Sequence, residues 1–299
     1  MWIMRSKRSN FEVRFIAKNG KTYFGNAILR PGSDDIAKAS QAHIITGDIF
    51  SRHDVTDEIA DIHLLLVPLA SEQVRTVRCI GLNYSKHAQE ASMKLPEYPV
   101  LFQPSQHKPQ TALTGPRDSI PVPPVAQTAA GGLDYECELV VVISKSGSDI
   151  SPAAALNHVL GYAVGNDVSH REWQLQHDGG QWCHGKGFDG WAPFGPGLVA
   201  PSVLADPQGL HIWTKVNGAV LQDGNTADMV FSVRDLVSFL SRGVTLLAGD
   251  IIYTGTPSGV ALGRKPQPWL KNGDVVEVGL QGVGTCVNKV EWTSKQAKL

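Results

Sequence analysis

One ten-residue segment constrains the fold of this chain most strongly, because it places two carboxylates inside an apolar strand pattern. Residues Asp134–Ile143 read DYECELVVVI. Side chains two positions apart share a face of a β-strand, so Glu136 and Glu138 project together and the alternate apolar residues form a core-like face. Two carboxylates this close repel each other unless one is protonated or a cation lies between them. The pattern predicts a cation site or, as the simpler alternative, a solvent-facing strand with two ordinary surface acids.

A third carboxylate ends another strand pattern, YAVGND, at Asp167. Three carboxylates with no obligatory nitrogen ligand suit a hard divalent cation, Mg²⁺ before Mn²⁺ or Ca²⁺. Zinc is disfavoured. The histidines His170, His177 and His184 are spaced by seven residues, but two consecutive glycines interrupt the helix that this spacing requires, and no cysteine completes a ligand set.

The chain alternates hairpins with single helices instead of repeating a strand–helix unit. Asn-Gly turns predict hairpins over residues 11–30 and 210–225, and two further strands are predicted in the tail. Helices are predicted over residues 85–93, from Ser151 to about residue 161, from His170 onward, and over 231–243. These elements indicate an α+β fold with a large mixed sheet.

The domain boundary is placed near residue 70. Residues 1–70 are interpreted as a small β-rich N-terminal domain, and residues 71–299 as the main domain. A segment rich in proline and glycine, residues 104–132, is predicted to be a long loop, and loops of that length in compact domains are usually functional or mobile.

Composition excludes several classes of function. The 299 residues carry 27 Lys+Arg and 28 Asp+Glu, a formal net charge of -1, so we expect neither nucleic acid nor an anionic membrane surface as a partner. No apolar run approaches the roughly 18 residues of a membrane span. The four cysteines show no paired spacing, which fits a reducing compartment. We therefore expect a cytoplasmic protein, with a mitochondrial presequence left open because residues 1–11 contain no acid.

Two polar residues of the helix predicted over residues 85–93 form a candidate acid–base pair. His87 and Glu90 are three positions apart and so share one face. A carboxylate beside a histidine fixes its tautomer and stabilises the imidazolium, which makes a working general base. The alternative is an exposed helical turn that carries both residues by chance.

Further candidates lie between residues 171 and 259. Lys186 belongs to a G-x-x-x-x-G-K-G string, but Gly187 stands where a P-loop needs a hydroxyl, so we reject a phosphate loop. The glycines more plausibly allow close backbone approach around a lysine that faces a pocket. Arg171 and Gln174 share a face if their segment is helical. The TGTPSG turn that contains Thr256 is either a simple turn or an anion-binding nest.

Each of these signals is weak alone, but their order resembles the fumarylacetoacetate hydrolase family, and within it the short domain-containing branch. The resemblance runs from about residue 74 to the C-terminus. The motifs that carry it are GLNYSKHAQE, LDYECELVVVI, GYAVGNDVSHREWQ, GKGFDGWAPFGPGLV, VNGAVLQDGNTADMVFSVRDLVSFLS and GDIIYTGTPSGV.

The resemblance implies a mixed sheet rolled into a barrel-like catalytic domain, usually in a homodimer. It implies the following roles: metal ligands Glu136, Glu138 and Asp167; an acid–base dyad His87–Glu90 on a lid segment; Lys186 beside the substrate oxygens; substrate contacts from Arg171, Gln174 and Thr256. Two departures from the family pattern are noted. Gln103 replaces a lysine common in an F-x-K-P segment, which puts substrate anion recognition in doubt, and Gly187 replaces a frequent serine.

The resulting hypothesis is Mg²⁺-dependent hydrolysis of the C–C bond of a 2,4-diketo acid through a metal-stabilised enolate. The alternative is tautomerisation, decarboxylation or isomerisation of a 2-oxo acid such as oxaloacetate on the same site. A catalytically silent scaffold on this fold is a third hypothesis, which a missing dyad or a broken acid trio would support; both are intact in the sequence.

Overall fold

A computed structural model describes residues 10–101, 108–128, 131–177 and 182–294. Within these ranges the fold is mostly β, with few helices. The strands are β1 (Phe11–Ala17), β2 (Thr22–Ala27), β3 (Gln41–Gly47), β4 (His53–Leu65), β5 (Val77–Gly81), β6 (Val100–Leu101), β7 (Leu113–Thr114), β8 (Ile120–Val122), β9 (Leu133–Asp134), β10 (Cys137–Ile143), β11 (Val159–Asn166), β12 (Ser169–His170), β13 (Ala192–Val199), β14 (His211–Val216), β15 (Ala219–Asn225), β16 (Ile251–Tyr253), β17 (Val275–Leu280) and β18 (Gly284–Trp292).

The α-helices of the described ranges are α1 (Ser85–Glu90) and α2 (Val233–Leu240), and a π-helical turn spans Trp173–His177. None of the described helices has the length and apolar character that a membrane crossing requires. The amphipathic helix expected over residues 231–243 is confirmed as α2. The hydroxyl of Ser232 accepts the N–H of Asp235, whose carboxylate in turn accepts the N–H of Ser232, so a capping box fixes where α2 begins.

The helix expected from Ser151 is wrong. The structure has turns followed by a 3-10 segment at Ala155–His158, and β11 begins at the next residue. Strand β11 lies between β10 and β13 in the sheet. Pairing with β10 takes Val159 and Gly161 into the sheet, and the residues before them are too few for a stable helix.

The N-terminal strands pair in a cycle, β1 with β2, β2 with β3, β3 with β4, and β4 with β1. The hairpin expected over residues 11–30 is confirmed as β1–β2. Strand β1 also pairs with β13, where Phe11 lies opposite Val199. This pairing joins the first 70 residues to the main sheet, and the proposed domain boundary stays a prediction.

The main sheet is mixed and runs in the order β2-β3-β4-β1-β13-β11-β10-β16-β5-β6, with β7 beside β13. A second sheet has the order β15-β14-β17-β18-β8 and contains the predicted hairpin around Asn217-Gly218. Parallel pairs occur at β16–β5, β13–β7 and β18–β8. Strands β9 and β12 form a separate two-stranded sheet. The barrel implied by the resemblance stays an expectation.

Strand β10 lies in the middle of the main sheet and is buried on both faces. Cys137 and Leu139 pack into one hydrophobic cluster, whereas Val140 packs into a second one on the other face. The alternation therefore places Glu138 on the second face, inside the protein. A solvent-facing strand with surface acids is thus excluded, because Glu138 is only 1% exposed.

Candidate active site

The three carboxylates singled out in the sequence meet in one buried cluster. Each of Glu136, Glu138 and Asp167 offers an oxygen, and these oxygens lie within 4.8 Å of one another. Antiparallel pairing of β10 with β11 places Cys137 opposite Asn166, and the N–H of Asp167 donates to the carbonyl of Glu136 at 2.8 Å. The sheet register therefore positions the trio.

Glu138 is held by the turn that follows β16. Its Oε2 accepts the N–H of Gly255 at 2.7 Å. Gly255 has a φ of 97°, and a Cβ at this position would lie 2.8 Å from the Cβ of Asn83, so only glycine fits. Burial raises the pKa of Glu138, and the carboxylates of Asp167 and Glu136 raise it further. A cation among the three carboxylates would relieve this repulsion, so the donor set fits a hard divalent ion.

Lys186 reaches into the same cluster. Its Nζ donates to Glu136 Oε2 at 2.8 Å, to Asp167 Oδ2 at 2.9 Å and to Ser169 Oγ at 2.7 Å. The expected close backbone approach occurs at Gly185, where a Cβ would lie 2.5 Å from the backbone nitrogen of Gln174. Burial alone would lower the pKa of Lys186, but the two carboxylates raise it above its usual value, so the ammonium stays charged.

Arg171 orients Glu136 from the other side. Its Nη2 donates to Glu136 Oε1 at 2.6 Å, its Nε to Asp134 Oδ2 at 2.9 Å, and its Nη1 to Gln174 Oε1 at 2.8 Å. Arg171 and Gln174 thus lie together, as expected for a helical segment. Burial would raise the pKa of Glu136, but Lys186 and Arg171 lower it to about 2.

Sequence reasoning missed two residues of this cluster. Lys108 is 4% exposed, its Nζ lies 2.9 Å from Asp167 Oδ1, and it also donates to the carbonyl of Trp191 at 2.7 Å. Gln103, expected to replace a family lysine, lies outside the described residues. Lys108, five residues further along the sequence and followed by a proline, places a lysine at the site.

Asp134 is the second missed residue. Its carboxylate accepts the N–H groups of Tyr135, Ala261 and Leu262 in addition to its ion pair with Arg171. Asp134 therefore links the loop after β16 to the arginine that holds the trio. The only sequence signal is its position two residues before the first glutamate of the E-x-E pattern.

The acid–base pair lies on α1, as the sequence predicted. His87 Nδ1 is 3.3 Å from Glu90 Oε2, and both carboxylate oxygens of Glu90 accept the N–H of Gly259, at 3.1 and 3.0 Å. Burial would raise the pKa of Glu90, but the hydrogen bonds from His87 and Gly259 lower it. The ionised carboxylate thus binds one ring nitrogen of His87 and leaves Nε2 as the nitrogen available for proton transfer.

Residues of both the carboxylate cluster and the acid–base pair line one cavity of about 120 Å³. Seven of the nine site residues predicted from the sequence line it, and the other two, Glu90 and Asp167, are bonded to lining residues. Thr256 lines it too, but its hydroxyl donates to the carbonyl of Cys137 at 3.0 Å and accepts from Gln222 at 2.8 Å. The expected contact of Thr256 with a substrate anion therefore stays a prediction. His177 and His184 both contact the ring of Trp173.

The chain is similar to known proteins over most of its length. Residues 76–291 match the model of the fumarylacetoacetate hydrolase C-terminal domain. A fumarylacetoacetate hydrolase domain-containing protein 2 homolog from Dictyostelium discoideum is 46% identical over 222 residues, covering 71% of this chain and 70% of that protein. The human protein named mitochondrial oxaloacetate tautomerase FAHD2A is 43% identical over 214 residues, and the match covers 72% of this chain but only 66% of the human protein's length.

The fold has a close counterpart among solved structures. The crystal structure of 2-hydroxyhepta-2,4-diene-1,7-dioate isomerase from Mycobacterium marinum superposes with a TM-score of 0.78 at 32% identity, covering 96% of this chain and 100% of that one. The matched domain contains the carboxylate trio, the His87–Glu90 pair and Lys186. On the extent of these matches, the chain belongs to the fumarylacetoacetate hydrolase family.

Proposed function

We propose that this protein is a divalent-metal-dependent enzyme that enolises 2-oxo acids at C3, acting as a keto–enol tautomerase. The observation that carries the proposal is the cavity in which a carboxylate-backed histidine lines the same space as Glu136 and Glu138, two members of the buried carboxylate trio. The human relative is named as a tautomerase and the Mycobacterium marinum structure as an isomerase, and both names describe movement of a proton on an organic acid.

The charge of the cluster supports an anionic substrate. Its buried carboxylates are Asp134, Glu136, Glu138 and Asp167, and its buried cations are Lys108, Arg171 and Lys186. One negative charge is therefore in excess, and a divalent cation would turn it into one positive charge. A site with a net positive charge in a low-dielectric interior attracts a carboxylate and stabilises a developing enolate.

Glu136, Glu138 and Asp167 would hold a divalent cation, with Mg²⁺ the first choice, and that cation would supply a Lewis acid for the 2-oxo group. His87 removes the proton from C3 of the keto form, the electron pair moves to the oxygen at C2, and that oxygen takes a proton from solvent. The His87 imidazolium then releases the C3 proton to solvent, which restores the base. Glu90 stabilises the imidazolium that His87 becomes. Lys186 and Arg171 keep the carboxylates oriented throughout.

Hydrolysis of the C–C bond of a 2,4-diketo acid is the second candidate. It is favoured by the way the N–H of Gly259 fixes Glu90, because a histidine backed by an oriented carboxylate can also deprotonate water. Hydroxide would add to the C4 carbonyl. The C3–C4 bond would then break with its electron pair passing to C3, giving pyruvate enolate and the acid that contains C4.

The test uses protein stripped with EDTA and reloaded with Mg²⁺, incubated with acetylpyruvate and with oxaloacetate and followed by NMR. Accelerated exchange between enol and keto forms supports the tautomerase, whereas pyruvate plus acetate from acetylpyruvate supports the hydrolase. Loss of CO₂ from oxaloacetate would indicate a decarboxylase. The control is Mg²⁺ with the Glu138→Ala variant, because free metal ions also promote enolisation. Rates equal to that control for both substrates would refute the proposal.

Homodimer formation and the cytoplasmic location expected from the sequence stay predictions. The human relative's name places that protein in mitochondria, which supports the alternative that the sequence left open.

A further inference from the structure

The active-site cavity has two chemically distinct zones. Its floor consists of buried polar groups, among them Glu138, Arg171 and Lys186, each less than 10% exposed. Its more exposed lining includes four large apolar side chains, here called the rim: Met93, Leu175, Trp182 and Leu262. The floor explains recognition of the reacting 2-oxo acid but leaves the rim without a role.

The rim residues are unusual for their exposure. Met93, Leu175 and Leu262 are 49%, 51% and 40% exposed, although each is a large apolar side chain. They come from separate parts of the chain: the segment after α1, the π-helical turn, and the 3-10 segment Ala261–Gly263. Apolar side chains that converge from separate elements on one cavity and stay exposed are typical of a surface that a ligand covers.

Within the described part of the chain, the rim offers no cation to a second carboxylate. Among the described residues that line the cavity, the cations Arg171 and Lys186 lie on the floor and are bound to Glu136. Lys94 follows Met93 in sequence, but it is exposed and is not among the lining residues. A carboxylate at the rim would lose water without gaining a cation, which costs binding free energy.

We infer that the rim binds an apolar substituent on the far side of the substrate's C3, so that this protein selects 2-oxo acids with an alkyl or aryl tail over 2-oxo dicarboxylic acids. The inference rests on the proposed function and adds the chemical class of the tail. It separates this chain from its human relative, whose name specifies oxaloacetate, a dicarboxylate.

Equilibrium binding of simple 2-oxo acids, whose reversible enolisation forms no further product, tests the inference without requiring a rate measurement. Calorimetry on the Mg²⁺-loaded protein would compare 2-oxobutanoate, 2-oxopentanoate and 2-oxohexanoate, and then 2-oxohexanoate with the dicarboxylate of equal length, 2-oxohexanedioate. We expect affinity to rise about fourfold with each methylene group that the rim covers. The dicarboxylate should bind about tenfold more weakly than 2-oxohexanoate.

Two lysine substitutions sharpen the test. Met93→Lys adds an ammonium to the rim, so it should weaken the binding of 2-oxohexanoate and strengthen the binding of 2-oxohexanedioate. Leu95→Lys adds the same charge to the same segment at an exposed residue that does not line the cavity, so it should preserve the wild-type preference.

Three results would overturn the inference: affinity that is flat along the chain-length series, a wild-type preference for the dicarboxylate, or equal effects of Met93→Lys and Leu95→Lys on the preference. If the wild type prefers the dicarboxylate and Lys94→Ala does not, Lys94 would be the residue that binds the second carboxylate. Failure of every 2-oxo acid to bind would instead remove the proposed function, and the inference with it.

Discussion

Replacing Glu138 with glutamine should separate metal binding from folding. Glu138 accepts the N–H of Gly255 at 2.7 Å, and a glutamine oxygen can accept the same bond. The new amide can donate to the neighbouring carboxylates of Glu136 and Asp167, so the buried group keeps its partners. The substitution removes one charge from the trio at nearly constant shape. We therefore expect Glu138→Gln to fold normally and to lose metal binding.

The magnitude follows from linkage between metal binding and folding. At a metal concentration of 100 times Kd, binding stabilises the wild type by about 2.7 kcal/mol. Unfolding entropy is about 2.1 cal/mol/K per residue, or about 0.6 kcal/mol/K for this chain, so the metal should raise Tm by about 4 °C. If the loss of one carboxylate weakens binding about a hundredfold, the same concentration raises the Tm of Glu138→Gln by less than about 1 °C.

Scanning calorimetry in EDTA and then in excess Mg²⁺ measures both quantities. Glu58→Gln is the matched control, because Glu58 is an exposed residue of β4 and the control should keep the full metal-induced rise in Tm. An equal rise in Tm for Glu138→Gln and the wild type would refute the trio as the metal site. A Tm in EDTA far below the wild-type value would show that the Glu138 charge is needed for folding.

Three further results are expected. His87→Ala should keep the metal-induced rise in Tm but lower kcat for enolisation by about 10²- to 10⁴-fold; an unchanged rate would rule out His87 as the base. Burial raises the pKa of Glu12 from 4.5 to about 8, so folding favours its protonated form and the wild type loses stability as pH rises through this interval. The free energy of unfolding of Glu12→Gln, measured in urea, should therefore rise by up to about 3 kcal/mol relative to that of the wild type between pH 4.5 and 7. A difference in free energy that does not change with pH would contradict this. Light scattering should give about twice the 32.3 kDa chain mass if the implied homodimer forms, and a mass of one chain would contradict it.

The cluster of three carboxylates could be predicted from the sequence because strand periodicity and register determine it. An alternation of two residues puts Glu136 and Glu138 on one face, and β11, the strand that ends just before Asp167, proves to be the antiparallel neighbour. The spacing of three residues between His87 and Glu90 predicted that both side chains share one face of α1, for the same reason. In each case, local geometry alone fixes the relative direction of the side chains.

Contacts between distant segments could not be predicted in this way. Lys108 reaches Asp167 from an irregular loop, where no periodicity indicates the direction of a side chain. Asp134 acts mainly by accepting N–H groups of Ala261 and Leu262, which lie 127 and 128 residues further along the chain. The helix from Ser151 failed because the place of β11 in the sheet outweighed local helix propensity.

The cations of the cluster contact distinct oxygens, which limits how the carboxylates can turn. Lys108 contacts Oδ1 of Asp167 and Lys186 contacts Oδ2. Arg171 contacts Oε1 of Glu136, and Lys186 contacts Oε2. Both carboxylates are therefore held from both sides before any metal ion enters.

Each carboxylate oxygen has two lone pairs, so an oxygen that accepts an ammonium proton can still bind a metal ion. The cost of orienting the ligands is then met during folding and does not reduce metal affinity when the ion binds. Lys108 and Lys186 should accordingly influence metal affinity although neither binds the ion. Each lysine has two effects, and these effects oppose each other. Their positive charges repel the ion, whereas their hydrogen bonds hold its ligands in place. Replacing Lys108 with methionine separates the two effects: a gain in Mg²⁺ affinity would show that repulsion dominates, and a loss would show that positioning dominates.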